Sequence, residues 1–237
     1  MTIVVLETTF FKKEKKNMQI TKVKDENDLF DFSKIRERLV MTCVPADNEY
    51  VKHGAATRII GDIAIVYRII IEAEDDVVIS AAIRENMLKA LEITEEMLFS
   101  AALQSSQKLL PAVSMGFDEF LHHPAEETLG ENFYVVTNSE RVFGASAIFY
   151  PDILSDIAEK TGCNELFIIP SSQDECIVCG NDGTVDLEGL HNHLIEMNGN
   201  PQIVPEEKYL SDSIFCYFKD SGALRCYFDE GFGESTN

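Results

Sequence analysis

The clearest pattern in the chain is a run of β-branched and other apolar residues over positions 62–71. It reads Asp-Ile-Ala-Ile-Val-Tyr-Arg-Ile-Ile-Ile, with almost no alternation between apolar and polar positions. Such a run is typical of a strand buried on both faces, or nearly so. An acidic turn follows at residues 72–76, and residues 77–80 return to the apolar pattern. The two segments are therefore predicted to form a hairpin.

Three predicted helices flank this hairpin, and they rest on apolar positions three or four residues apart. They lie around Phe32, Ile35 and Leu39 before Pro45, over residues 81–91, and from Thr94 onward. Thr94 is a favourable N-cap residue, and Glu95 and Glu96 follow it in the first turn, where they oppose the positive helix end.

The second half of the chain alternates short apolar runs with amphipathic segments. Predicted strands are 133–136, 142–149, 166–169, 176–179, 214–218 and 224–228, with a short or extended segment at 202–204. Predicted helices follow Pro151, with Leu154, Ile157 and Ala158 inward, and cover Leu187, Leu190, Leu194 and Ile195. Glycine at 162 suits the end of the first of these helices.

The recurring order is strand, strand, helix, near residues 62–91, 133–161 and 166–197. This order predicts an α+β fold with mostly antiparallel sheets and helices packed on one face. We expect a leader or peripheral segment at 1–28, an N-terminal α+β subdomain at 29–111, a linker at 112–131 and a C-terminal α+β domain at 132–237. The linker prediction rests on weak periodicity together with Pro124 and Gly130.

Charge narrows the classes of partner. The 237 residues carry 41 acidic and 20 basic side chains, a net charge of −21. Direct binding to nucleic acid phosphates or to anionic membranes needs clustered lysine and arginine and is disfavoured. Residues 1–120 hold a net charge of −5, and residues 121–237 hold −16. The second half is thus expected to repel nucleic acid and to attract basic protein surfaces.

The location predicted from the sequence is the cytoplasm, without a membrane span. No apolar run approaches the roughly 18 residues that a span requires. The apolar N-terminus precedes its lysines, the reverse of a secretory signal. Either Met1 or Met18 is a plausible natural start.

Metal, cofactor and nucleophile motifs give little chemistry. The best zinc candidates are the cysteines at 163, 176 and 179 and the histidines at 191 and 193. In an extended strand, however, Cys176 and Cys179 point to opposite faces, so buried thiols are expected and no metal or cofactor is predicted. Ser171 and Ser172 follow a predicted strand without a nucleophile elbow, which favours a turn.

Acidic clusters are the predicted partner-binding residues. These residues lie close to one another in sequence, in predicted loops or turns. They are Glu72, Glu74, Asp75, Asp76, Asp174, Glu175, Glu206, Glu207, Asp229 and Glu230. A divalent cation is a conceivable ligand of the hairpin tip, but adjacent carboxylates there are more typical of a solvated turn.

Several motifs resemble one family. They are Tyr134-Val-Val-Thr-Asn138, Gly144-Ala-Ser-Ala-Ile148 with Tyr150-Pro151, Phe167-Ile-Ile-Pro-Ser-Ser172, Val204-Pro-Glu-Glu207 and Leu210-Ser-Asp212. The chain resembles a domain-of-unknown-function family of clostridial gut bacteria, often carried on conjugative or phage-related elements. The family pattern has histidine where this chain has Asp174. The resemblance implies a mobile-element setting and an α+β fold, with no established activity.

These observations lead to one leading hypothesis and two alternatives. The leading one is a non-enzymatic acidic binding protein of a mobile element. It would occupy a basic, nucleic-acid-binding surface of another protein, as anti-CRISPR and antirestriction factors do. The first alternative is an enzyme or small-ligand binder with a pocket near Ser171, Ser172 and Glu175. The second is an accessory protein of conjugation. The oligomeric state is left open.

Overall fold

A computed structural model describes residues 8–12, 20, 22–23, 25–74, 77–121 and 132–227. These residues form two sheets, and every strand pairing among them is antiparallel. Helices accompany both sheets. The predicted α+β class is confirmed.

The first sheet has the strand order β1-β5-β4-β2, and β3 also pairs with β4. Its strands are β1 (Thr8–Lys12), β2 (Leu39–Pro45), β3 (Thr57–Ile60), β4 (Ile63–Glu74) and β5 (Val77–Ala82). The register slips between Ile70 and Glu72, where β4 pairs with β5. Because β4 and β5 are consecutive and pair antiparallel, they form the predicted hairpin.

The second sheet has the order β11-β10-β8-β9-β7-β6. Its strands are β6 (Ala112–Gly116), β7 (Phe133–Asn138), β8 (Glu165–Ile169), β9 (Cys176–Gly180), β10 (Phe215–Phe218) and β11 (Ala223–Cys226). The short segment between β8 and β9 lies at one end of this sheet and contains both candidate serines.

Seven α-helices connect the strands among the described residues. They are α1 (Phe32–Ile35), α2 (Glu49–Lys52), α3 (Glu85–Ala90), α4 (Glu95–Leu109), α5 (Phe117–Leu121), α6 (Ile153–Thr161) and α7 (Leu187–Asn198). Short 3-10 helices cover Glu26–Phe30, Arg36–Arg38, Gly144–Phe149 and Glu206–Lys208. No described helix has the length and apolarity needed to cross a bilayer.

Strand β4 is buried on both faces, as its sequence predicts. Ile63, Ile65 and Ile69 contribute to the largest core cluster, and Ala64 and Val66 belong to a cluster on the opposite face. Because side chains alternate along a strand, both faces must be apolar for such burial. The result is a strand with almost no solvent contact between residues 63 and 70.

The second sheet is covered on both faces. Leu154 and Ile157 of α6 pack in the same core cluster as Ile168, whereas Leu194 of α7 packs with Phe167 and Ile169 on the other face. This differs from the expectation of helices on one face. Two adjacent strand residues with apolar side chains require a cover on each side, and α6 and α7 supply it.

The two sheets share packing and a polar contact. The largest core cluster contains residues of both, among them Tyr67 and Phe215. At the β3–β4 turn, the Asp62 carboxylate accepts hydrogen bonds from Ser211 Oγ at 2.8 Å and Ser213 Oγ at 3.0 Å. Gly61 has φ of 57°, and a Cβ there would lie 3.0 Å from the Phe215 ring. This turn fixes the first sheet against the loop before β10.

Several predicted elements are wrong in type or extent. The helix predicted through Leu39 gives way to β2, because that segment pairs with β4 residue by residue. The strand predicted at 142–149 is a 3-10 helix entered through a left-handed Phe143. Residues 202–204 lie in a turn region instead of a strand, and α3 begins at Glu85 because β5 continues to Ala82. Strand β6 falls within the segment predicted as a linker and β1 within the predicted leader, and the domain boundaries themselves stay a prediction.

Candidate functional site

The segment between β8 and β9, residues 170–175, is a closed polar turn. Ser171 Oγ and the Ser172 backbone N–H donate to the Glu175 carbonyl at 3.1 and 3.2 Å. Ser172 Oγ also donates to Glu175 Oε1 at 3.1 Å and accepts from the Asp174 N–H at 3.1 Å. Both hydroxyls are used within the turn, as the sequence predicts for serines of this kind. A nucleophile needs an adjacent base, and no histidine contributes to these hydrogen bonds.

Three other segments hold this turn. Thr137 Oγ1 of β7 donates to the Asp174 carbonyl at 2.7 Å, and the Phe143 N–H donates to Asp174 Oδ1 at 2.9 Å. Lys208 Nζ lies 2.5 Å from Asp174 Oδ2. Gln173 Nε2 donates to the carbonyls of Glu207 and Tyr209 at 3.0 and 3.1 Å. The motifs around 134–138, 144–148, 167–172 and 204–207 therefore meet at one place.

The loop after β7 is strained at two non-glycine residues. Arg141 has φ of 52° and Phe143 has φ of 57°, both in the left-handed region. Such conformations cost free energy and persist where the surroundings fix them. Here the Phe143 N–H bonds to Asp174, and the Asn138 side chain donates to the Val142 carbonyl at 2.7 Å.

Two carboxylates near this loop are unusual. Glu140 is fully buried, and neither of its carboxylate oxygens has a hydrogen-bond partner in the described part of the chain. Burial raises the pKa of Glu175, against the opposing hydrogen bond from Ser172. A buried carboxyl favours its neutral form, so Glu175 is easier to protonate than an exposed glutamate.

A separate cavity of about 500 Å³ lies where β9 ends and α7 begins. Its lining is Asn132, Phe133, Gly180, Asp182, Thr184, Val185, Asp186, Gly189, Leu190 and His193. Among the described residues that line it, two carry carboxylates and none is a lysine or an arginine. Phe133, Val185 and Leu190 give it an apolar wall, since each is only partly buried.

Both cavity aspartates accept local hydrogen bonds, Asp186 through one oxygen and Asp182 through both. Asp182 Oδ1 accepts from the N–H and hydroxyl of Thr184 at 2.9 and 2.7 Å. Asp186 is the N-cap of α7, where Oδ1 accepts from the Gly189 N–H at 3.0 Å. The hydrogen bonds from Thr184 lower the pKa of Asp182, so this side chain is ionised at neutral pH. A Cβ at position 189 would collide with Asp186 Oδ2, so glycine preserves this arrangement.

A family of unknown function, DUF5688, matches residues 4–219 of the chain. The chain belongs to DUF5688. No curated protein and no solved structure matches it. The resemblance drawn from the motifs is confirmed in this coarse form, as membership of a family without an assigned activity.

In this DUF5688 chain the predicted acidic residues fall into three groups. Asp75, Asp76, Asp229 and Glu230 lie outside the described residues. Glu72 is half-buried and pairs with Lys22 at 3.5 Å, and Glu74 ends β4. The remaining four, Asp174, Glu175, Glu206 and Glu207, are brought together through Gln173. Asp174 is engaged by Lys208, so its charge is largely compensated.

The cysteines of the DUF5688 chain are placed for packing. Cys176 belongs to the largest core cluster and Cys179 to the cluster under α7, so the prediction of opposite faces is confirmed. Burial raises the pKa of Cys179 to about 12 and that of Cys176 well above its usual value. Such thiols stay protonated, which disfavours nucleophilic and ligand roles. The described residues contain no group of three or more metal-ligating side chains.

The acidic residues around α7 were missed as a site because they are dispersed along the sequence. Asp182, Asp186, Glu188 and Glu196 are all exposed. None of the four forms an ion pair within the part of the chain that the structure describes. One feature of the sequence could have indicated this region, namely the lack of basic residues: positions 161–207 include no lysine or arginine. Clusters of carboxylates that are adjacent in sequence are easier to recognise. In the folded chain, however, several of those carboxylates are paired with basic side chains or buried.

Proposed function

We propose that this protein is a non-enzymatic acidic binding protein whose α7 region occupies a basic surface of a partner protein. The observation that carries the proposal is the uncompensated charge around α7. Four exposed carboxylates and the cavity at residues 182 and 186 lie in a stretch without a single lysine or arginine.

Several carboxylates of the N-terminal half are paired with basic side chains, unlike the four around α7. There, Glu95 and Glu96 both bond to Arg58, at 2.8 and 2.5 Å, and Glu49 bonds to Lys52 at 2.9 Å. Paired charges largely cancel at a distance, whereas unpaired charges of one sign produce an extended field. A field of this kind accelerates association with a basic surface and weakens as salt increases.

The partner class we propose is a nucleic-acid-processing defence protein, inhibited in the manner of an anti-CRISPR or antirestriction factor. Such enzymes hold phosphates on lysine and arginine, so their binding surfaces are basic. The proposal includes the mobile-element setting that the motif resemblance implies and the cytoplasmic location expected from the sequence. A conjugation accessory protein would use the same surface chemistry with a different basic partner.

A second candidate function is small-ligand binding or catalysis at the 170–175 turn. The observation that favours it is Glu140 next to two strained residues, Arg141 and Phe143. Glu140 is buried, and its carboxylate has no hydrogen-bond partner among the described residues. Backbone strain and buried polar groups without hydrogen-bond partners often mark functional sites. A thermal-shift screen with nucleotides and divalent metals tests it, and stabilisation that is lost in Glu140→Gln would support it.

Affinity capture tests the leading proposal. The full chain is immobilised, and lysate of its source organism is applied at about 50 mM and about 500 mM salt, where screening lengths differ severalfold. We expect enrichment of a basic, nucleic-acid-handling protein at low salt, its loss at high salt, and competition by added duplex DNA. Failure to enrich any basic partner contradicts the proposal.

A further inference from the structure

The cavity between β9 and α7 has the chemistry of a site for one organic cation. Its volume of about 500 Å³ falls within the range of roughly 300–1,000 Å³ typical of small-ligand pockets. Carboxylates of Asp182 and Asp186 provide negative charge, and Phe133, Val185 and Leu190 provide apolar surface. This combination matches a side chain with an alkyl stem and a charged head.

We propose that this cavity receives an arginine side chain from the partner protein. Arginine fits better than a compact ammonium for two reasons. Its guanidinium is planar and weakly hydrated, so it contacts aromatic faces such as that of Phe133, and its donor fork can serve two carboxylates. Charge complementarity therefore favours an arginine of a basic protein surface as the occupant of this cavity. This inference rests on the proposed function.

The local hydrogen bonds leave charge available for this contact. Asp186 Oδ1 caps α7, which leaves Oδ2 of this carboxylate to accept from a guanidinium. Asp182 Oδ1 closes the Thr184 turn, and a carboxylate oxygen has two lone pairs, so Oδ2 can accept a second hydrogen bond. Asp182 keeps a further amide contact, in which Asn132 Nδ2 lies 3.4 Å from Oδ2. The positive end of α7 is offset by the Asp186 charge itself and by Glu188 in the first turn.

The test uses the full chain and a capped tripeptide, acetyl-Gly-Arg-Gly-amide, with the citrulline peptide as its uncharged counterpart. Backbone amide shifts are followed by NMR during titration. The cavity variant is Asp182→Asn with Asp186→Asn, because asparagine preserves the N-cap and the turn. The matched control is Glu188→Gln with Glu196→Gln, which removes the same charge from exposed positions of α7 outside the cavity lining.

We expect arginine-dependent shifts at lining residues such as Thr184, Gly189 and His193, with much smaller shifts for citrulline. Affinity should fall at least fivefold in the cavity variant and less than twofold in the control. Equal weakening in both variants, or arginine shifts spread evenly over the acidic surface, would overturn the arginine site.

The two proposals fail separately. If a basic partner is captured equally by wild type and by the cavity variant, the acidic binding function stands and the arginine site is wrong. If the tripeptide binds the cavity but no basic partner is captured at low salt, the site stands and the proposed function is wrong.

Discussion

Replacing Gly144 with alanine should disturb the place where the motif segments meet. A Cβ at this position would collide with the Asp174 carbonyl oxygen and with Thr137 Oγ1, and would lie 2.9 Å from the Asn138 nitrogen. Two of these three atoms belong to the backbone, which cannot move without shifting the turn. The φ of Gly144 is not positive, so the cost comes from crowding and not from backbone strain.

The expected magnitude follows from two terms. Overpacking a well-filled site costs about 1–3 kcal/mol. Separating Thr137 Oγ1 from the Asp174 carbonyl, now 2.7 Å apart, loses a hydrogen bond that contributes about 0.5–1.5 kcal/mol. Together the free energy of unfolding should fall by roughly 2–4 kcal/mol, which lowers Tm by on the order of 5–15 °C in a chain of this size.

Urea unfolding followed by circular dichroism measures this change. Gly116→Ala is the matched control, because no atom of a described residue other than its two chain neighbours lies within 4 Å of its added Cβ, and its φ is not positive. We expect the control to be within about 0.5 kcal/mol of wild type. A Gly144→Ala protein as stable as the control would refute the close contact between β7 and the 170–175 turn.

Three further predictions concern stability. Glu175→Gln should match wild type near pH 4 and become progressively more stable than wild type as pH rises. The reason is that the pKa of Glu175 is higher in the folded protein than in the unfolded chain, where it is about 4.5. As pH rises above that value, ionisation therefore favours the unfolded chain of the wild type and has no counterpart in the variant. Urea unfolding at several pH values measures this difference. Asp62→Ala should cost roughly 1–3 kcal/mol by leaving the O–H of the buried Ser211 without its acceptor, as calorimetry would show. Thr94→Ala should cost about 1 kcal/mol by removing the cap of α4, where Thr94 Oγ1 accepts from the Met97 N–H, as urea unfolding would show.

Each of these predictions has an outcome that contradicts it. A stability difference for Glu175→Gln that is constant across pH would mean that burial does not perturb this carboxyl. The control for Asp62→Ala is Asp47→Ala, and the control for Thr94→Ala is Ser100→Ala. Each control changes an exposed residue near the tested position. If Asp62→Ala or Thr94→Ala is no worse than its control, the corresponding hydrogen bonds do not contribute as described.

Elements with strong local signals were predictable from the sequence. The apolar run of β4 needs burial on both faces wherever it lies, so its identity follows from composition alone. Thr94 marks the start of α4 because capping depends on residues within one turn, and the structure shows its side chain accepting from Met97. In both cases the determining contacts are close in sequence.

Elements decided by distant contacts were not predictable. Residues 39–45 form an apolar run that suits a buried helix or a strand, and pairing of Leu39 with Ile69 decides for the strand. Residues 142–149 leave the extended conformation because Phe143 bonds to Asp174, 31 positions away. No periodicity within a short window contains that information.

The candidate sites divide in the same way. Ser172 and Glu175 were correctly expected in one turn, since they are neighbours in sequence. The compensation of Asp174 by Lys208 was not foreseen, because 34 residues separate them. The carboxylates around α7 are too far apart in sequence to be recognised as a cluster. In the structure they share one exposed region, and two of them, Asp182 and Asp186, line one cavity.

The most direct test of the central claim compares two variants of equal charge. One converts Asp182, Asp186, Glu188 and Glu196 to their amides, and the other converts four exposed N-terminal carboxylates, Glu37, Asp47, Glu85 and Glu92. Each variant removes four negative charges from the same total of −21. The measurement is the affinity of each for the captured basic partner at low salt. An acidic α7 surface predicts at least tenfold weaker binding for the first variant and near wild-type binding for the second; equal affinities would contradict the account.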